Sequence, residues 1–242
     1  MTKQRMIKQS DAKVEAAQRP ADWAAEIRTA IGALPARRVP AVRAVRREYS
    51  RRLKVAPGRA VVQTALRLLD GGDLTDRYVG YELVLFHPAA LASLTARDLQ
   101  RLGRGLDRWE ATDTFGCYLA GPAWREGQVP DALIQRWARS RDRWWRRTAL
   151  VSTVPLNLPA RGAQAPRGDA ARTLTICALL VDDRDDMVVK ALSWALRELA
   201  RRDPAAVRAF MQAHGLALAA RVRREVANKL RTGLKNPRRT AG

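Results

Sequence analysis

The feature that most limits what this chain can become is a helical pattern that never gives way to a strand. Apolar residues recur at three- and four-residue spacing along most of the sequence, and strand-like alternation is absent. Ala, Leu and Arg, all good helix formers, dominate the segments. The pattern predicts helices over 21–33, 40–54, 58–70, 74–87, 95–107, 109–120, 130–140, 142–154, 168–181, 186–202, 204–214 and 217–231. Pro40, Pro130 and Pro204 suit first-turn positions, where a missing N–H costs nothing. Thr95 with Asp98, and Asp203 with Pro204, read as N-terminal caps. Taken in pairs, these helices repeat at roughly 40 residues, the spacing of HEAT or armadillo units. The expected fold is all-α, an α-solenoid of HEAT-like helical pairs curved around a basic concave groove. The expected organisation is a basic, flexible N-terminal segment over 1–20, a single repeat domain over 21–231 and a basic tail over 232–242. Within the domain, residues 155–170 hold Pro155, Pro159 and Pro166 and read as an exposed loop.

Charge narrows the partners. Lys and Arg number 45, of which 38 are Arg, against 24 Asp and Glu, so the net charge is +21. A surplus of that size must sit largely on the surface, where it favours a polyanion. Guanidinium forks match phosphate oxygens two at a time. Three basic stripes are expected: Arg97, Arg101, Arg104 and Arg108; Arg43, Arg46, Arg47, Arg51 and Lys54; and Arg136, Arg139, Arg143, Arg146 and Arg147. Merged on one side of a solenoid, they would form a cationic groove.

Other classes lose support. An apolar content of 47% is too high for a disordered basic tail. No apolar run approaches the ~18 residues of a membrane span, and the first twenty residues lack a leader's apolar stretch. Two cysteines, Cys117 and Cys177, cannot staple a chain of this length, which suits a reducing cytoplasm, close to the nucleoid. Two histidines, His87 and His214, in unrelated contexts make a zinc site a poor expectation. No glycine-rich phosphate loop appears, so the expectation is a monomer with no cofactor, no metal and no membrane partner.

The aromatic residues carry more. In 186–202 the apolar stripe is Val188, Val189, Leu192, Ala195, Leu196 and Leu199, and the opposite stripe is Lys190, Trp194, Arg197 and Arg201. Trp194 is therefore expected among cations, away from the core. In the helix from 109, Ala111, Phe115, Tyr118 and Leu119 share the apolar face, while Trp109 and Asp113 lie together on the other, beside Arg108. Nearby arginines are expected to keep Asp113 ionised. Trp144, sharing a face with Val151, is expected in the core, and Trp23 and Trp124 are read as packing.

Trp109-x-x-x-Asp113, the run Trp144-Trp145-Arg146-Arg147-Thr148-Ala149 and the run Ala191-Leu192-Ser193-Trp194-Ala195-Leu196-Arg197-Glu198 resemble the AlkD-type DNA alkylation repair glycosylases. The similarity runs from about residue 36 to 230. The resemblance implies a HEAT-like array around double-stranded DNA that removes N3- and N7-alkylated purines, with bulky adducts within the range of some relatives. It implies that Trp109, Asp113 and Trp194 contact the deoxyribose at the lesion. It implies DNA-backbone contacts for Arg147, and the same role is expected of Arg146, Lys190, Arg197, Arg108 and Arg104. The chain departs from the pattern where the family carries an aromatic in the first helix, since Ile27 stands there, and in the length of loop 155–170.

The chemistry fits these residue types. A cationic alkylpurine is already a good leaving group and needs no general acid. The sugar passes through an oxocarbenium-like state that an ionised carboxylate stabilises. Indole faces add attraction for the developing cation. No lysine is well placed for a Schiff base, so a monofunctional DNA N-glycosylase is expected. Two other readings remain open: a non-catalytic HEAT-repeat protein that recognises distorted or damaged duplex, and a scaffold for RNA or an acidic protein.

Overall fold

The computed structural model describes residues 19–158 and 168–237. Among these residues every regular element is helical, and no strand occurs. They fall into two compact units that divide after Arg104.

The first unit holds α1 (19–32), α2 (Val39–Arg52), α3 (Gly58–Leu69), α4 (Leu74–Leu85), α5 (Pro88–Ala92) and α6 (Ala96–Leu102). Helix α4 packs on both α2 and α3, and α3 packs on α5 and α6. Starts follow local chemistry. The Asp73 carboxylate accepts from the Thr75 and Asp76 amides to open α4. Thr95 and Asp98 form the reciprocal box expected of them at the start of α6. Asp98 also takes two hydrogen bonds from Arg59, at 2.6 and 3.1 Å, which ties α3 to α6. Two differences from the periodicity are local. Helix α5 was not expected, and His87 opens it by accepting from the Ala90 amide through Nδ1 at 3.0 Å. Helix α6 stops at Leu102, short of the expected 107, because the chain turns at Gly105, whose φ of 69° suits glycine alone.

The second unit holds α7 (Trp109–Phe115), a π-turn (Gly116–Ala120), α8 (Gly121–Arg125), α9 (Asp131–Ala138), α10 (Arg143–Val151), a 3₁₀ turn (Val154–Asn157), α11 (Ala170–Ala178), α12 (Asp186–Leu199), α13 (Pro204–His214) and α14 (Ala220–Thr232). Its helices stack in two layers. In one, α10 touches α7 and α12, and α12 touches α14; in the other, α11 touches α9 and α13. This is the expected helical-pair stacking, and Val188, Leu192, Ala195, Leu196 and Leu199 bury the core face of α12 as the wheel predicts. The expected Asp203 cap is present, accepting from Ala206 N at 2.8 Å.

Helix α7 runs through the π-turn into α8 without leaving helical dihedrals, past the expected end at 120. Pro122 in α8 lacks an N–H and crowds the carbonyl four residues back, and a widened turn accommodates both defects. The rod lies close to the end of α10. A Cβ on Gly121 would stand 2.7 Å from the Ser152 carbonyl oxygen, and one on Gly116 would stand 2.8 Å from Val151. The expected exposed loop needs correction at its start. Pro155, Leu156 and Asn157 are buried in the 3₁₀ turn, where Asn157 donates to Thr153 O and Thr173 Oγ1. Residues 159–167 of that loop, and residues 1–18 and 238–242 of the expected terminal segments, lie outside the described residues.

Candidate active site

Trp109 is the first residue of α7 and is 51% exposed, which is unusual for so large an apolar ring. Asp113, one turn on, shares its face. The buried side of α7, Ala111, Thr112 and Phe115, is anchored by aromatic packing. The Phe115 ring lies 6.2 Å from Trp137 and meets Trp145 edge-on at 6.3 Å, while Trp137 and Trp145 sit 4.8 Å apart. These three rings fix α7 against α9 and α10.

Asp113 is held by one arginine. Arg147, on α10, donates from Nε and Nη2 to the two carboxylate oxygens, both at 2.7 Å, and from Nη1 to the Met187 carbonyl in the first turn of α12. One buried guanidinium thus ties α7, α10 and α12 together. Burial pushes the Asp113 carboxyl above its ordinary value; Arg147 pulls it down and the nearby Glu110 charge adds to the rise. The expected arginine stabilisation is therefore real but opposed by desolvation. The two-pronged geometry still requires a carboxylate, since both oxygens accept.

Trp194 is half-buried on the face of α12 that carries Met187, Lys190 and Arg197, opposite the core stripe. It stands two turns beyond Met187, about 10 Å along the axis. No hydrogen bond, ion pair or ring contact joins Trp109 or Trp194 to Asp113 among the described residues. One turn past Asp113, burial pushes the Cys117 thiol up to about 12, with lesser contributions from the charges of Asp113 and Glu198. Glu198 is one turn past Trp194, and its Oε2 is buried without a hydrogen bond, 3.5 Å from Arg201 Nη1. Sequence reasoning missed Cys117 and Glu198 as part of this neighbourhood. The signal was present, because each lies four residues beyond a named site residue.

Residues 33–230 match the DNA alkylation repair enzyme family. The chain belongs to that family. A search of curated proteins returned no match. Among the described residues no group of His, Cys, Asp or Glu is arranged to hold a metal ion, and no helix is long and apolar enough to cross a membrane.

In this DNA alkylation repair enzyme the residues expected at phosphates differ in how far their side chains are engaged within the fold. Arg147 is 5% exposed, with its guanidinium committed to Asp113 and Met187. Arg146 is a strut, donating to Asp183 at 2.7 Å and to the carbonyls of Ser140 and Arg141. Arg197 is largely covered, reaching Ser193 Oγ at 3.2 Å, with Glu225 at 3.9 Å; burial lowers its pKa. Lys190 holds Asp186 at 2.6 Å, yet stays 40% exposed. Arg104 and Arg108 are exposed, Arg108 beside Asp107.

The stripes also break up. With α6 ending at Leu102, Arg104 and Arg108 leave the face of Arg97 and Arg101, and the stripe from Arg136 to Arg147 is divided between α9 and α10. Arg46 is buried against Glu82. Trp144, expected in the core, is half-buried with the Arg143 guanidinium 4.9 Å over its ring. Ile27 is fully buried, so the first helix offers no side chain to a ligand at that position. Trp124 is packing, as read, with its indole N–H on Asp131.

Proposed function

We propose that the protein is a monofunctional DNA glycosylase that hydrolyses the N-glycosidic bond of cationic N3- and N7-alkylated purines in duplex DNA. The observation that carries this is the Asp113 carboxylate gripped by both oxygens beside a half-exposed indole. A carboxylate so fixed keeps one free lone pair per oxygen. It can face the C1′ side of a sugar without reorganising as charge develops.

In this reading the C1′–N bond breaks with its electron pair going to the base, which leaves neutral. Positive charge passes to the sugar ring, and Asp113 stabilises it. Trp109 and Trp194 offer their π faces to that cation and exclude water from its flanks. A water held by Asp113 then adds to C1′ and releases one proton, leaving an abasic site. Exposed Lys190, Arg104 and Arg108 supply phosphate contacts that carry no sequence information. Lys190 pairs with Asp186 at 2.6 Å, and this reading gives it no Schiff-base role.

The test is base release from duplexes carrying 7-methylguanine, followed by mass spectrometry. Free 7-methylguanine and intact strands with abasic sites are expected, and borohydride should trap no covalent complex. Asp113→Asn should lower the rate about 10²–10³-fold. An Asn variant releasing base at the wild-type rate removes Asp113 from the chemistry. Salt-sensitive duplex binding with no base released from small or bulky adducts favours a non-catalytic damage-recognition protein.

A further inference from the structure

In the first unit, α2 and α4 enclose a cleft of about 410 Å³, lined by Val39, Val42, Val79, Leu74 and Tyr78 on its less polar side. Three arginines and one carboxylate, Arg37, Arg43, Arg46 and Glu82, supply its charge. That volume lies within the range of small-molecule sites.

The charge in the cleft does not balance. Arg43 and Arg46 share Glu82, one on each oxygen, and both use Nε alone, at 3.3 and 2.9 Å. Arg37 pairs with Asp73. One positive charge is left over from the Arg43–Arg46–Glu82 group. The Arg46 side chain is only 10% exposed, and its guanidinium lies 4.2 Å over the Phe86 ring, so it cannot swing out to water. Its Nη1 has a single long contact, 3.5 Å to Ser50 Oγ. A covered cation that spends Nε on a shared carboxylate keeps its terminal nitrogens for something else. The Arg46–Glu82 pair is covered and neutral, so the surplus charge falls on Arg43, whose side chain is 52% exposed at the cleft and open to an anion.

We propose that this cleft binds a nucleotide, with the phosphate on the terminal nitrogens of Arg46 and Arg43 and the base against Tyr78 and Val39. A phosphate group matches a guanidinium fork in shape and charge. The apolar wall, with Val39 62% exposed at the rim, provides the surface that a planar ring covers. The half-exposed Arg43 guanidinium can stack on the same ring.

The experiment is calorimetric titration of the whole protein with deoxyguanosine monophosphate, with deoxyguanosine and inorganic phosphate as separate arms. Saturable binding of one mononucleotide per chain is expected, with each half-ligand at least about tenfold weaker. Val39→Trp fills the rim without touching a charge, and Arg46→Lys keeps the charge but removes the fork. Each should weaken the mononucleotide about tenfold or more. Should Arg46→Lys fail to fold by circular dichroism, Val39→Trp alone decides. Duplex affinity of Val39→Trp separates the sources of the nucleotide. A parallel loss assigns the cleft to a nucleotide of a DNA strand, and an unchanged value assigns it to a free one. No saturation of the wild type up to millimolar mononucleotide, or undiminished binding to Val39→Trp, overturns the proposal. Base release plays no part in this readout, so it fails or stands apart from the glycosylase reading.

Discussion

At the scale of the residue, the Asp113–Arg147 pair decides most. Burial raises the Asp113 pKa while Arg147 lowers it, and burial wins. If Asp113 acts as a carboxylate, base release should fall on acidification at a higher pH than an ordinary aspartate would give. In Arg147→Gln the restraining charge is gone and burial remains, so the acid limb should move further up. A pH–rate profile of both proteins checks this, and an unchanged limb in the variant would mean that Arg147 does not tune the acid. The sign for stability is the reverse of the usual carboxylate case. A group whose folded pKa is raised contributes stability that is present below its unfolded value and lost as pH rises through the folded one, so Asp113 does not drive acid unfolding. Removing Arg147 leaves a carboxylate with 17% exposure and no partner, and should cost about 3–5 kcal/mol. Arg147→Lys should cost less, because the charge survives without the fork.

At the scale of the element, the capping box of α6 and the rod from Trp109 to Arg125 carry opposite lessons. Burial would raise Asp98, but hydrogen bonds from Arg59 and from Thr95 outweigh it and hold its pKa below the ordinary value. Its stabilisation is therefore present above the unfolded carboxyl pKa and is lost as pH falls through the folded one. Asp98→Ala should cost about 1–3 kcal/mol at neutral pH and much less in acid, by denaturant titration at the two pH values. That cap was readable from Thr95 and Asp98 alone, because it is a contact within four residues. The core stripe of α12 was readable for the same reason, since a helix repeats its geometry, whereas the partial cover of Trp194 and Arg197 on the other face was not. What escaped the sequence depended on contacts between elements. Arg147 sits in a run of basic residues, and nothing local says that its fork turns inward to an aspartate 34 positions away. The helix from 109 was expected to end at 120, yet packing on α10 keeps the rod going through a π-turn to Arg125. That packing leaves no room at Gly121, where the Pro155 ring and the Ser152 carbonyl oxygen close in. Gly121→Ala should destabilise the fold by about 1–3 kcal/mol despite the better helix propensity of Ala, a sign that thermal denaturation reads directly.

At the scale of the whole molecule, the net charge of +21 overstates what faces a polyanion. A large share of the arginines serves the fold. Arg28 closes the end of α3, its Nη2 donating to the carbonyls of Arg67, Leu68 and Asp70 at 2.6, 3.2 and 2.8 Å. Arg77 reaches the carbonyls of Leu102 and Arg104, and Arg172 that of Trp124. Guanidinium suits this use because it offers five donors in a fixed plane and stays charged when covered. The DNA-facing charge is then a subset, and salt measures it. Each neutralised phosphate contributes about 0.9 to the slope of log affinity against log salt on duplex DNA. The expected slope counts far fewer contacts than the 45 cations of the chain. Arg101 is exposed on α6, with no hydrogen bond or ion pair from its side chain among the described residues. Arg101→Gln should reduce the slope by about one contact and leave the melting temperature unchanged. Arg28→Gln removes the same formal charge but should leave the slope intact and lower the melting temperature, because its donors are spent on α3. Equal slope changes in the two variants would mean that duplex binding reads only net charge, with no defined set of contacts behind it.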